Sequence, residues 1–180
     1  MFNLTKNLVY PGSHLNRYFR TMVESFPFLG KWKGEGIVYE SNVRYEEELD
    51  ISLFGTPRGK QLIFSSKTWA HGKSYEENPM HTEIGMIRVL PQNENETNIE
   101  LMLSHPFGMV EIESGNYSNG VISVQTSAMS RAPSSSNNVV TNVRRRMWIE
   151  NNQLKYHLFL TLVDKPEYFH LDAALNRIIQ

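Results

Sequence analysis

With no cysteine in the chain, metal binding and proton transfer fall mainly to six histidines, His14, His71, His81, His105, His157 and His170, together with the carboxylates and methionines. The missing thiols exclude disulfides, thiolate metal sites, thioether-attached cofactors and cysteine nucleophiles. The histidines differ in their surroundings. His105 alternates with Ile99, Leu101 and Leu103 and precedes Pro106. That spacing predicts an inward position at the end of a strand, where a cavity would open, and fits either a core histidine or a ligand contact. His81 lies in the polar run Pro79-Met-His-Thr-Glu83 at the start of a strand. His14, His71 and His157 read as solvated. His170 shares its alternation with Tyr168 and Asp172, opposite Phe169, Leu171, Ala173 and Leu175, so periodicity points it outward.

Several chemistries lack their partners. The His81-x-Glu83 pair has no P-C-x-x-C segment to complete a deaminase zinc site. No G-x-S-x-G elbow is present for a serine hydrolase. Glu46–Glu48 and Glu76–Glu77 read as solvated carboxylates, and Arg144–Arg146 alternates along a strand without forming a patch. The 18 Lys+Arg against 19 Asp+Glu give a formal charge of −1, which predicts neither a nucleic-acid nor a membrane-surface partner. No apolar run has the length of a spanning helix, and Met1–Tyr10 makes a poor signal peptide, so a cytoplasmic location is expected.

At 180 residues the chain suits one domain with a sizeable core. Leu15, Phe19, Met22 and Val23 recur at helical spacing behind Ser13, which predicts a short amphipathic helix over 13–24 within an N-terminal extension, residues 1–27. From residue 28 to 180 the pattern has period two. Val43, Tyr45, Glu47, Leu49, Ile51 and Leu53 form one face of a strand, with Arg44, Glu46, Glu48, Asp50 and Ser52 on the other. Gly34–Tyr39, Leu62–Trp69, Met80–Leu90, Ile99–His105, Met109–Glu113, Val121–Thr126, Val139–Ile149, Leu154–Val163 and Tyr168–Ile178 read as further strands, the last also compatible with a helix. Turn residues such as Ser118-Asn-Gly120 separate them. About ten short strands in hairpin sequence predict an all-β, closed antiparallel up-and-down barrel, with a β-sandwich as the alternative. Such a barrel encloses room for a small ligand.

Gly30-Lys-Trp-Lys-Gly-Glu-Gly36 opens the barrel segment. Its tryptophan would fill the narrow end, and its glycines would let neighbouring backbone approach. Together with Phe28-Leu29 and Arg44-Tyr-Glu-Glu-Glu48, this run resembles the opening of the nitrobindins, haem-binding barrels shaped like fatty-acid-binding proteins. Met80-His-Thr-Glu-Ile-Gly-Met-Ile-Arg88, Ser104-His-Pro-Phe-Gly-Met-Val-Glu111, Ser127-Ala-Met-Ser-Arg131 with Arg144-Arg145, and the terminal Phe169-His-Leu171 resemble that family's further motifs in order.

The resemblance implies a ten-stranded barrel binding one noncovalent haem b in a solvent-open cleft, with His170 as the axial iron ligand. It implies Met80, His81, His105 and Leu160 as pocket lining, with His81 and His105 as polar contacts and not as second iron ligands. The activity implied is isomerisation of peroxynitrite to nitrate, with binding of nitric oxide. A homodimer is compatible with it. Two stretches depart from the family pattern: Tyr39-Glu-Ser-Asn42 lacks a Pro-Thr, and Ser134–Asn138 lacks a lysine. The competing expectation is a carrier of fatty acids or other lipophiles without haem chemistry.

Overall fold

Alternating apolar and polar residues build ten strands: β1 (Gly30–Val38), β2 (Val43–Thr56), β3 (Gly59–Ala70), β4 (Pro79–Pro91), β5 (Thr97–His105), β6 (Met109–Ser118), β7 (Val121–Arg131), β8 (Val140–Glu150), β9 (Gln153–Leu162) and β10 (Lys165–Arg177). The structure, a computed structural model, describes residues 23–56, 59–91, 97–136 and 139–178. Each strand pairs antiparallel with its chain neighbours, and β1 pairs with β10 to close the barrel. Closure leaves no unpaired sheet edge. The last segment is strand and not helix, because Trp32 to Val38 of β1 run opposite Arg177 to Leu171 along its length. Most of the helix expected over 13–24 lies outside the described residues.

One end of the barrel is sealed. Trp32 is fully buried and donates from Nε1 to the Phe28 carbonyl at 2.9 Å. Val23, Phe26 and Phe28 pack there as well, with Tyr117 edge-on to both phenylalanines. The Arg177 guanidinium lies 4.1 Å from the centre of the tryptophan ring. The glycines of β1 do what their spacing predicts. A Cβ on Gly34 would come within 2.1 Å of the Ala174 carbonyl oxygen, and one on Gly36 within 2.3 Å of the Tyr45 ring. Above the plug, Leu49, Ile51, Leu62, Phe64, Ile87, Ile99, Leu101, Ile122, Leu154 and Leu175 fill the interior. Among the described residues, no helix is long and apolar enough to cross a membrane.

Candidate ligand-binding site at the open end

The inward faces of β2, β4, β6 and β8 change from apolar to ionisable above the core. Glu47, Glu83, Glu111, Glu113 and Arg145 are all buried there. Arg145 is the inward member of the arginine triplet. Its Nε donates to Glu113 at 3.1 Å, and its Nη2 reaches both Glu113 and Glu83 within 3.1 Å. Arg144 instead points outward, bonds Glu167 through both carboxylate oxygens and lies over the Phe159 ring. Strand alternation thus splits three adjacent arginines between two faces.

The carboxylates of this floor titrate differently. Burial opposes ionisation of Glu83, but Arg145 and the hydrogen bond and charge of His81 outweigh it and hold its pKa well below the ordinary range. Burial dominates at Glu47, raising its pKa to about 7 although Tyr156 and Ser66 donate to it. Glu113 is also raised, by burial and by its neighbour Glu111, against the pull of Arg145. Tyr156 in turn contacts the Tyr45 hydroxyl at 3.2 Å, which links the floor to the Asp172 carbonyl.

Toward the opening lie two of the expected histidines. His105 is buried at the end of β5, inward as its alternation predicts. Its Nε2 is 3.1 Å from Glu111 Oε1, and its Nδ1 is 3.2 Å from Nε2 of His81. An ionised carboxylate only accepts, so a neutral His105 donates from Nε2 and accepts at Nδ1 from His81. Thr126 donates to the other oxygen of Glu111. Phe107, in the turn after β5, stacks against both imidazoles with centroids 5.2 and 5.5 Å away. Phe107 was not singled out by spacing, because a turn residue has no periodicity to betray its direction.

Met80 is the unpaired residue of a bulge in β4, where Thr68 faces His81 but Trp69 faces Pro79. Its side chain is exposed beside His81. Leu160 is half-buried and pairs with Tyr168 of β10 and Val143 of β8.

His170 occupies a second bulge. Phe169 pairs with Phe159 and Leu171 with Leu158, leaving His170 as the extra residue. A bulge abolishes simple alternation and re-aims a side chain, which corrects the outward placement read from periodicity. The imidazole is half-buried, edge-on to Tyr168 at 5.9 Å. Burial lowers its pKa below the ordinary histidine range; Glu40 opposes this, while Lys165 and His81 add to it. His170 therefore shares the electrostatic environment of His81 and is neutral at pH 7. Among the described residues, its Nδ1 is the only buried side-chain polar atom with no hydrogen-bond partner.

The other histidines belong elsewhere. His157 packs edge-on to Trp148 and Phe169 on the outer wall, and His71 lies exposed near Glu35 and Glu46. His14 is outside the described residues. An outer groove of about 410 Å³, lined by Ile37, Trp148, His157 and Asp172 among others, includes none of the open-end residues. The 39–42 turn is held by Asn42 in the left-handed region, and its Glu40 pairs with Lys165 across the rim.

A half-buried imidazole whose pKa is lowered and whose Nδ1 lacks a hydrogen-bond partner has the donor chemistry of an axial ligand to a haem iron. A family model described as THAP4-like, heme-binding beta-barrel domain matches residues 22–177. The chain is 34% identical over 156 residues to a protein named peroxynitrite isomerase 1 from Mycolicibacterium paratuberculosis, covering 84% of this chain and 91% of that one. It is 30% identical over 157 residues to the peroxynitrite isomerase of Frankia casuarinae, covering 83% and 81%. The crystal structure of Rv2717c from M. tuberculosis superposes with a TM-score of 0.71 at 30% identity, covering 88% of this chain and 97% of that one. The closed ten-stranded barrel accords with these likenesses, and the chain belongs to the nitrobindin family of THAP4-like heme-binding β-barrels.

Proposed function

We propose that this chain binds one haem b at the open end of the barrel through His170 and isomerises peroxynitrite to nitrate. The observation that carries the reading is the buried, unpartnered Nδ1 of His170, on the residue of the Phe169-His-Leu171 motif. A protein that used this imidazole only for packing would leave a buried polar atom unsatisfied at a cost of about 1–3 kcal/mol. Its depressed pKa keeps the ring neutral and able to donate a lone pair.

When bound, ferric haem supplies a Lewis-acidic iron with a coordination position for peroxynitrite or nitric oxide. Conversion of peroxynitrite to nitrate moves no net proton or electron, so the protein needs no obligatory acid. The chain's own tasks are then few. His170 holds the cofactor. Met80, Leu160 and Phe107 supply apolar surface around the cleft, and His81 with His105 present polar edges to it. His105 is tied to Glu111, which fixes the orientation of its ring.

Stopped-flow decay of peroxynitrite tests the activity. The ferric haem-loaded protein accelerates decay in proportion to its concentration and raises the nitrate yield; a rate equal to that of buffer alone overturns the proposed activity. Tight binding of a fatty-acid probe by a protein that does not retain hemin would favour the lipophile carrier.

A further inference from the structure

Where β4 and β5 meet, three potential metal ligands converge. His81 Nε2 and His105 Nδ1 are 3.2 Å apart, His81 Nε2 and Glu83 Oε1 are 3.7 Å apart, and His105 Nδ1 and Glu83 Oε1 are 4.0 Å apart. The point equidistant from the three atoms lies about 2.1 Å from each, which is the bond length that zinc makes to histidine nitrogen and carboxylate oxygen. The two imidazole rings stack with centroids 5.3 Å apart and planes 28° apart, so their facing nitrogens reach the same region. We propose that His81, Glu83 and His105 form a divalent transition-metal site of the zinc type, with its remaining coordination position facing the barrel opening.

The surroundings are those of a built site. His105 would ligate through Nδ1 while Nε2–H donates to buried Glu111, the carboxylate–histidine–metal arrangement that fixes the tautomer and raises ligand basicity. Thr126 orients Glu111 from the far side. His81 has to carry its proton on Nδ1 to free Nε2 for the ion.

Among the described residues, Arg145 is the buried cation that opposes such an ion directly. Its Nη2 is 3.1 Å from Glu83 Oε1 and 3.0 Å from Oε2. Glu113 takes up that charge through both of its oxygens. Among the described residues the interior thus buries four carboxylates, Glu47, Glu83, Glu111 and Glu113, with one guanidinium, a crowding of acidic groups around a single fixed cation. A dication at the two histidines relieves that crowding. The two imidazoles and one carboxylate suit zinc, cobalt or iron(II) better than magnesium or calcium, which prefer all-oxygen sites. The inference does not depend on haem binding.

Titration of the haem-free, full-length chain with Co(II) reads this site by visible absorption, with Zn(II) as competitor. Expected is one Co(II) per chain with the absorption of a four- or five-coordinate nitrogen–oxygen site, displaced by equimolar Zn(II). His105→Gln and His81→Gln each weaken binding at least about 100-fold, and Glu111→Gln about 10- to 100-fold. His170→Ala leaves it unchanged. If His105→Gln fails to give a native circular dichroism spectrum, His81→Gln at the more open position decides. The proposal is overturned if wild type takes up no Co(II), if both glutamine variants bind like wild type, or if His170→Ala abolishes the signal.

Discussion

Leu171 sits opposite Leu158 on β9, one position out of step with the Phe169–Phe159 pair, and the residue squeezed between the two pairs is His170. The bulge gives its carbonyl a different partner, the Tyr39 N–H at 2.9 Å, so the backbone is satisfied where the side chain is not. An imidazole held this way contributes little to folding.

His170→Ala in the haem-free protein is therefore expected to unfold in urea within about 0.5 kcal/mol of wild type, or to be more stable, because it removes an unsatisfied polar atom. A loss of more than about 2 kcal/mol would make His170 a structural residue.

Arg145 and Arg146 differ by one position and by an entire environment. Arg145→Ala strands Glu83 and Glu113 in the interior and is expected to cost about 3–5 kcal/mol at pH 7. Arg146→Ala, on the exposed face, is expected to change stability by less than about 0.5 kcal/mol. Equal losses in the two denaturation curves would contradict the assignment of faces.

The pH dependence of stability carries a signature of Glu47. With its folded pKa raised to about 7, the folded state holds this proton more tightly than the unfolded chain does. Stability from this group accordingly falls as pH rises from the ordinary glutamate range through about 7. Glu47→Gln should gain up to about 3 kcal/mol on wild type between pH 5 and pH 8, and parallel stability profiles would refute the burial argument. Glu113 adds a slope of the same sign, which persists in the variant.

Close packing at β1 gives a steric contrast. Gly36→Ala drives a methyl group into the Tyr45 ring and the Asp172 carbonyl and is expected to cost about 1–3 kcal/mol or more. Gly55→Ala meets no atom within 4 Å and is expected to be nearly neutral. Matching thermal midpoints for the two variants would count against the packing described.

Where strands are regular, the sequence reads directly: Tyr45 and Glu47 on the inward face of β2 and His105 inward at the end of β5 follow from period two, and Trp32 at the plug follows from its glycine-rich run. Failures occur where alternation is interrupted or ambiguous. The bulges at Met80 and His170 shift parity by one residue, and nothing in local composition marks either. Arg145 sits in a run of three identical residues, so only the register of β8 against β9 tells which one enters the barrel. The buried carboxylates were hidden for a different reason: Glu111 and Glu113 are tolerable inside only because a guanidinium and an imidazole from other strands meet them there. Motif resemblance supplied His170, which periodicity had placed outside.

Hemin titration of the wild-type chain and His170→Ala, followed at the Soret band, tests the central claim most directly. The account predicts saturable binding of one haem per wild-type chain, with a histidine-ligated Soret band that collapses in His170→Ala while the circular dichroism spectrum is preserved. Equal affinity and an identical Soret band in the folded variant would contradict it.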